Sequence, residues 1–578
     1  MRKSLVFALL LLISSIPMAQ ANSSSGFCPE SSGCSQSIPT IECGACTFKA
    51  TSISFFSIYP SFQIGRPELE TIWRDRMQSR QDGRDGTFQL VPFYSRSTDP
   101  ANLASYFMPF KPQSALVLNV TEVAASEPQF ANGILSQYFN IETVNGNFHS
   151  QISFNPVHVE TGLGVSYKQG FAERTDGRAF WFQINMPISH VKNSLGFTEN
   201  VINDGGGALP VSSDCSSITQ TAVAETSSSS NPFCNESSES SLCFNASNNS
   251  CGTRTLPVVT TPVANMTDAF KQPGWEFGRI NNPCGSSKTT VSNIDLVLGF
   301  ESVRCDRCNL ENFIGISLPT GNKVRSVELF EPIVGFNKNF GFMFGSHADL
   351  EMFVSKNGKH SLWLDYAING IYFAPNHQTR LLDIKYKPWS RYMKMYANLA
   401  QAEEAANTLC DTVHTPGVDI MAQRVRVHPG FIRLYNSGVV YNCGGFEGEV
   451  GYSFLARSAE CLSLKCEWQE GPALVSRLPL DGVPGSTDRV QMINDDFGGA
   501  NALPVAEYSN NLILASDLDF DSASHPSMAT HTVYLSTGYC WNHVEFPPFI
   551  GLGGSYEFSR DNTGLDRWTI WGKFGLSF

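Results

Sequence analysis

The sequence predicts an all-β protein, a transmembrane antiparallel β-barrel of roughly 14–18 strands with long disulfide-containing loops. Three observations support this prediction. Apolar and polar residues alternate with period two along much of the chain, and charged residues make up only 16% of its 578 positions. Beyond the N-terminus, no apolar run approaches the roughly 20 residues of a spanning helix. A closed barrel is the other structure that satisfies its backbone polar groups in lipid.

The clearest alternation lies at the C-terminal end. In segment 549–558 one face carries Ile550, Leu552, Gly554, Tyr556 and Phe558, and a turn-rich stretch follows at 560–564. In the last segment the predicted outward residues are Trp568, Ile570, Phe574, Leu576 and Phe578, and the inward ones are Thr569, Lys573 and Ser577. Because successive strand residues point to opposite faces, the two segments predict a hairpin with one lipid-facing side.

The same alternation recurs upstream, in segments 180–189, 294–301, 340–352, 362–369 and 446–454. Repeated strands of about 9–11 residues are typical of membrane barrels. A soluble β-sandwich that buries its apolar face alternates in the same way, so alternation alone leaves this alternative open.

The first residues predict a secretory signal peptide at 1–21. Arg2 and Lys3 precede an apolar run that starts at Leu5, and the small residues Ala19 and Ala21 indicate cleavage before Asn22. The apolar run is too short for a spanning helix. We therefore expect the mature chain to lie beyond the inner membrane.

The remaining chain is expected to have two parts. Residues 22–147 form a Cys-rich segment that is either a plug or the first strands, and residues 148–578 form the barrel. Within the barrel, the Ser- and Asn-rich stretch 211–261 predicts a long exposed loop. The proline and early acids of segment 67–76 predict a short helix.

The chain contains 16 cysteines, and in an exported protein disulfides are the expected state. The candidates are Cys28, Cys34, Cys43, Cys46, Cys215, Cys234, Cys243 and Cys251. Two pairs, Cys43–Cys46 and Cys305–Cys308, match C-x-x-C. Together they could instead bind zinc, or either could be a redox pair. Export favours disulfides, and the connectivity stays open.

Motifs typical of hydrolases, metalloproteases, nucleotide-binding loops and dinucleotide-binding folds do not occur, so the sequence predicts no enzyme, no cofactor and no metal. The net charge of −13 argues against nucleic acid as a partner, since that interface needs a basic footprint.

Charged residues on the presumed inner faces are candidates for the lining of a pore. Three bases, Arg424, Arg426 and His428, share one strand face. The other candidates are Asp349, Glu351, Asp365, Glu447, Glu449 and Lys573. Facing groups of opposite charge orient permeating solutes, and the excess of acids predicts a mild cation preference. A solvated strand face gives the same pattern, so this alternative stays open.

The segment from Trp568 to Phe578 resembles the terminal strand of bacterial outer-membrane β-barrels, which close on an aromatic residue, commonly Phe. This resemblance implies a place in the bacterial outer membrane, contact with its lipid, and recognition of Phe578 by the assembly machinery. The abundant Cys is similar in kind to the major envelope porins of chlamydia-like bacteria.

The function expected from this resemblance is a porin-like channel for passive diffusion of small hydrophilic solutes, as a monomer or a homo-oligomer. Two alternatives remain. One is a plugged barrel, with residues 28–76 as the plug, that transports a specific or apolar solute. The other is a secreted β-rich adhesin or structural envelope protein.

Overall fold

The structure is a computed structural model that describes residues 50–71, 86–109, 117–121, 133–173, 179–210, 256, 259, 261–272, 274–280, 284–305, 307–385, 387–396, 414–468, 472 and 513–578. The predicted signal peptide, nearly all of the predicted loop 211–261 and the rest of the predicted helix beyond residue 71 lie outside these residues.

Twelve antiparallel strands form a closed barrel. They are Gly86–Ser97 (β1), Val157–Glu173 (β2), Ala179–Ser194 (β3), Ile294–Cys305 (β4), Cys308–Leu318 (β5), Gly341–Val354 (β6), His360–Phe373 (β7), Ile432–Cys443 (β8), Phe446–Arg457 (β9), Met528–Cys540 (β10), Pro548–Ser559 (β11) and Arg567–Ser577 (β12). Each strand pairs with the next along the chain, so the wall is an up-and-down meander.

The wall closes where β12 pairs with β1, in a register that runs from Thr87 opposite Ser577 to Ser97 opposite Arg567. The backbones of Gly86 and Phe578 exchange two further hydrogen bonds, of 2.5 and 2.9 Å. The predicted strand number of 14–18 is therefore too high. The wall also begins at Gly86, well before the predicted boundary at residue 148, because the C-terminal strand needs β1 as its partner.

The two faces of the wall differ as the alternation predicts. Outward side chains are large, apolar and exposed, among them Ile314, Phe344, Val450, Leu535, Leu552 and Ile570, with exposed fractions between 51% and 66%. Inward side chains of the same strands are mostly buried. An apolar surface all around a closed barrel is stable against lipid and costly in water.

The two ends of the barrel are unequal. At one end the strands are joined by short connections, 174–178, 306–307, 355–359, 444–445 and 541–547. At the other end five of the six connections are long, the longest spanning 195–293. Outer-membrane barrels have short periplasmic turns and long extracellular loops. The chain is therefore an outer-membrane β-barrel, and by analogy with such barrels we call its short-turn end periplasmic and its long-connection end the cell-surface end.

No described helix is long and apolar enough to cross a membrane.

The described parts of the long connections and residues 50–58 fold together into a domain that we call the cap. Its strands are Val117–Thr121, Gly133–Leu135, His149–Ser153 and Thr198–Asn203 in one sheet, Asn376–Leu381, Ala422–His428 and Cys461–Leu464 in a second, and the short pairs Asp383–Ile384 with Leu518–Asp519 and Lys394–Met395 with Thr415–Pro416. Strand Ser286–Val291 extends the wall beside β3.

Short helices complete the described structure. The α-helices are Pro67–Glu70, Pro100–Phe107, Met266–Ala269 and Gly417–Met421, and the 3₁₀ turns are Ser136–Phe139, Ser390–Tyr392, Ala515–Asp517 and Asp521–Ala523. The cap has its own apolar core, in which Trp389 is 1% exposed and donates its indole N–H to the carbonyl of Phe107 (2.8 Å). The cap is thus a packed domain, not a set of independent loops.

Cys305 and Cys308 form a disulfide at the short-turn end, so this pair does not supply free thiolates for zinc. Cys461 and Cys466 are also disulfide-bonded. The eight predicted disulfide candidates, from Cys28 to Cys251, lie outside the described residues.

The lipid-facing assignment of the wall predicts a large cost for a charge at the middle of β11. Leu552 is 64% exposed there. We expect Leu552→Arg to lower the free energy of unfolding in vesicles by about 2–4 kcal/mol, the usual cost of an arginine at the bilayer midplane. Urea titrations followed by heat-modifiable gel mobility measure it. Leu552→Met is the control, and equal midpoints for all three proteins would contradict the assignment.

Candidate functional site

The chain passes through the barrel before it begins the wall. Its first described residues belong to the cap, where Ala50 N donates to Asn562 Oδ1 (2.9 Å). At the lower end Lys573 Nζ, on β12, donates to the carbonyls of Leu69 (3.0 Å) and Thr71. Residues 59–71, which we call the plug, therefore run through the lumen from the cap toward the short-turn end. Both residues 59–71 and the start of β1 at Gly86 lie within segment 22–147, for which the sequence predicts either a plug or the first strands.

A turn and a short helix shape the plug. Gly65 has φ +84°, and a Cβ at this position would lie 2.9 Å from Asn369 Nδ2 and 3.0 Å from a methyl carbon of Leu434. Glycine is the residue that satisfies both the left-handed backbone and the close approach of the wall. The helix Pro67–Glu70 follows, with proline in its first turn, where the missing N–H costs nothing.

The wall makes room for the ring of Phe62 in the plug. A Cβ on Gly164 of β2 would lie 2.4 Å from the ring of Phe62, which means that the ring occupies the space of the missing side chain. The Phe62 ring also stacks on Phe93 of β1, with centroids 6.4 Å apart. The plug thus fits this wall closely.

A buried ionic cluster joins the plug to the wall. We call it the latch and define it as Arg66 of the plug with Glu160, Glu557 and Arg567 of the wall. Glu557 Oε2 accepts from Arg66 Nη1 (2.9 Å) and from Arg567 Nε (2.7 Å). Arg567 Nη2 also donates to the carbonyl of Tyr59 (2.7 Å). Glu160 Oε2 accepts from the backbone N–H (3.1 Å) and the hydroxyl (2.7 Å) of Ser61.

The latch has balanced charge. Two guanidinium groups face two carboxylates, and the side chains of Arg66, Arg567 and Glu557 are at most 5% exposed. Thr530 Oγ1 donates to the remaining oxygen of Glu557 (2.7 Å). Buried charges require such pairing because the desolvation of each ion costs several kcal/mol. Removing one member therefore disturbs all the others.

Apolar contacts between the plug and the wall lie beside buried polar groups, such as the ion pair of Lys168 with Glu311 (3.2 Å). Tyr59, Phe62, Ile64 and Leu69 share one buried cluster with inward side chains of the wall, which include Val91, Trp181, Val297, Phe313, Met343, Ile371, Leu455, Tyr534 and Trp571. Two cavities that border the plug measure about 20 Å³ each, space for about one water molecule. The described plug and wall thus leave the lumen closed at this level.

The predicted lining acids do lie on inward positions of the wall. Asp349 and Asp365 are direct neighbours on β6 and β7, and Glu449 is 4% exposed on β9. Glu351 and Glu447 line a cavity of about 300 Å³ at the short-turn mouth. The acidic band therefore lies below the plug, in the periplasmic half of the barrel.

The predicted basic residues lie elsewhere, so the prediction that they face the acids in a constriction is wrong. Arg424, Arg426 and His428 lie in the cap strand Ala422–His428, which pairs with Asn376–Leu381 and Cys461–Leu464 and not with any wall strand. They do not face the acids across the lumen. Alternation gives the faces of a strand, but it does not indicate to which sheet the strand belongs.

The terminal strand has the predicted faces, with Ile570, Phe574, Leu576 and Phe578 exposed and Thr569 and Lys573 buried. Lys573, expected to line an open pore, instead binds backbone carbonyls of the plug. The role of Phe578 as an assembly signal stays a prediction.

Sequence reasoning missed the latch. Glu160, Glu557 and Arg567 occupy inward positions of strands, and their charge among buried neighbours was the available signal. Arg66 lies in a segment without periodicity, so its partners follow only from the three-dimensional path of the plug. Among the described residues, no group of three or more His, Cys, Asp or Glu side chains could hold a metal ion.

Comparison with known proteins gives neither a matching family model nor a matching curated sequence. Several solved structures are similar in outline. The COG4313 outer membrane channel from Pseudomonas putida F1 is 9% identical, with a TM-score of 0.32, over 87% of this chain and 100% of the other. The toluene transporter TodX of Pseudomonas putida is 8% identical, with a TM-score of 0.25, over 92% and 98%. The transport unit of the autotransporter AIDA-I from Escherichia coli is 5% identical, with a TM-score of 0.21, over 89% and 95%.

Proposed function

We propose that the chain is an outer-membrane transporter whose lumen is closed by the plug and opens when the plug is displaced. The observation that carries this proposal is the position of residues 59–71, which fill the lumen and are bound to the wall through the latch. A transporter of this kind passes its solute only after the contacts between plug and wall are broken.

The composition of the lumen favours a plugged transporter over a porin. A porin keeps a polar, water-filled interior. Here Trp181, Phe313 and Trp571 point inward among other apolar side chains and are at most 5% exposed. Free diffusion of small hydrophilic solutes needs an aqueous path, and residues 59–71 lie across the lumen where such a path would run. Once the plug leaves, the same aromatic surface suits a solute with an apolar part.

The chemistry of the latch suits a movable plug. Buried ion pairs contribute little net stability, because the cost of desolvating the charges offsets their attraction. When the plug is displaced and water enters the lumen, the four charges of the latch regain their hydration. Breaking the charged contacts of the latch therefore costs less free energy than their short distances imply, because water replaces them.

Liposome swelling tests the proposal against the porin interpretation. In vesicles that contain the wild-type protein, we expect arabinose to give swelling no faster than in empty vesicles, because the lumen is closed. A porin-like channel would instead give rapid swelling that slows with increasing sugar size. Rapid swelling of wild-type vesicles would overturn the proposal of a closed lumen.

A second candidate function is that of a surface domain anchored by a permanently closed barrel. The observation that favours it is the extensive apolar core of the cap, which includes fully buried Phe139, Phe270 and Trp275. In that case variants with a weakened latch would remain impermeable to every solute while the cap stays folded. Vesicle permeability of latch variants therefore separates the two candidates.

A further inference from the structure

A cavity of about 220 Å³ lies where the cap meets the top of the wall. Its floor is formed by Asn193 and Ser194, at the end of β3, and by Ser286, at the start of the strand that extends the wall. The cap supplies the sides. The cavity is thus on the cell-surface side, next to the rim of the barrel.

One side of the cavity is apolar. Leu195, Ile280 and Phe330 are between 4% and 7% exposed, and Phe197 contributes a second aromatic ring. Phe330 also packs against Phe56, in the chain that leads into the plug, with ring centroids 6.3 Å apart. A hydrocarbon group in this cavity would therefore rest on side chains that also contact the start of the plug.

The other side carries three charged groups. Glu199 is already saturated, because its oxygens accept from the backbone N–H groups of Met266 (2.9 Å) and Thr267 (2.7 Å) and from the Thr267 hydroxyl (2.7 Å). Among the described side chains, neither Glu328 nor Lys271 has a hydrogen-bond or ion-pair partner, and the Arg279 guanidinium interacts with Glu328 electrostatically from nearby. The cavity thus offers one carboxylate and one ammonium group for a ligand.

Glu328 is partly buried, which raises its pKa to about 6, while the nearby Arg279 guanidinium opposes this shift. At neutral pH the carboxyl group is therefore still mainly ionised. Lys271 is exposed at the cavity and carries its positive charge toward solvent. A negatively charged carboxylate and a positively charged ammonium group therefore border the same apolar surface.

We propose that this cavity binds a small zwitterion with an apolar body, such as an amino acid with an aromatic or large aliphatic side chain. The ammonium group of the ligand pairs with Glu328, its carboxylate with Lys271, and its hydrocarbon part packs on Phe197 and Phe330. Hydrogen bonds to charged groups are stronger than those between neutral groups, so both ends of the ligand contribute to recognition. The proposal rests on the proposed transport function in that it names a class of substrate.

Calorimetric titration of the full chain in detergent micelles tests the site with three probes: phenylalanine, phenethylamine, which lacks the carboxylate, and 3-phenylpropanoate, which lacks the amine. We expect phenylalanine to bind at least 10-fold more tightly than either analogue. Glu328→Gln should weaken the binding of phenylalanine and phenethylamine about 10-fold and leave the binding of 3-phenylpropanoate unchanged. Lys271→Met should weaken the binding of phenylalanine and 3-phenylpropanoate and leave the binding of phenethylamine unchanged.

Two variants serve as charge-matched controls. Lys288→Met removes an exposed ammonium group of the strand that extends the wall, and Glu545→Gln removes an exposed carboxylate at the opposite end of the barrel. Both should bind phenylalanine like the wild type. Equal affinity of the three probes, or unchanged phenylalanine binding in both cavity variants, would overturn the proposal. Because binding is measured with the lumen closed, its failure is distinct from a failure of the swelling test.

Discussion

We expect the open probability of the Arg66→Ala variant to be about 100-fold higher than that of the wild-type protein. The substitution removes the contact with the Tyr59 carbonyl and leaves Glu557 without one of its two cations. Although an intact buried ion pair contributes little net stability, removing one partner usually destabilises the closed state by about 3 kcal/mol or more. A difference of 1.4 kcal/mol changes an equilibrium tenfold. The quantity to measure is the open probability in planar bilayers.

The wall should tolerate this change. Glu557 keeps its hydrogen bonds to Arg567 and Thr530, and both wall carboxylates of the latch then share the single guanidinium of Arg567. Arg433→Ala is the matched control, because this arginine is exposed on the outer side of β8. An open probability of Arg66→Ala equal to that of the control, in protein with normal heat-modifiable mobility, would contradict the role of the latch. Arg66→Lys, which retains the charge, should fall between the two.

The second large effect is expected in the cap, at the buried pair Asp383–Arg391. Asp383 accepts from the Arg391 guanidinium, from the backbone N–H groups of Trp389 (3.1 Å) and Arg391 (2.9 Å), and from the Ser52 hydroxyl (3.0 Å). Both side chains are 1% exposed. Asp383→Ala leaves a buried guanidinium without its carboxylate, a change that usually costs about 3–5 kcal/mol.

The expected result is a cap that unfolds at lower temperature while the wall stays intact. Near-ultraviolet circular dichroism follows the packing of Trp389, and heat-modifiable mobility follows the barrel. Asp204→Ala removes an exposed carboxylate of the cap and should change stability by less than about 0.5 kcal/mol. A melting temperature of Asp383→Ala equal to that of this control would show that the pair does not hold the cap together.

The wall could be predicted from sequence because the alternation that specifies each strand is a local property of the chain. Lipid on one side and buried contacts on the other impose period two, and the faces assigned to segments 549–558 and 568–578 agree with the exposure of Leu552, Ile570 and Lys573. The strand number was overestimated because alternating segments such as 422–428 form half-buried sheets in the cap as well.

The plug and latch could not be predicted in the same way. Segment 59–71 has no periodicity, because each of its side chains meets a different part of the wall. Its defining contacts join residues far apart in sequence, such as Arg66 with Glu557 and Gly65 with Asn436, whose amide donates to the Gly65 carbonyl (2.9 Å). Such contacts depend on the closed wall, which no local pattern specifies.

The path of the chain constrains how the protein can be assembled. The plug precedes β1 in sequence, and the residues before it are buried in the cap, where Ile53 and Phe56 are 5% and 6% exposed. A barrel that had already closed could take up this segment only by threading the chain end through the lumen. We therefore expect the plug to be in place before β12 pairs with β1, so that the wall closes around it.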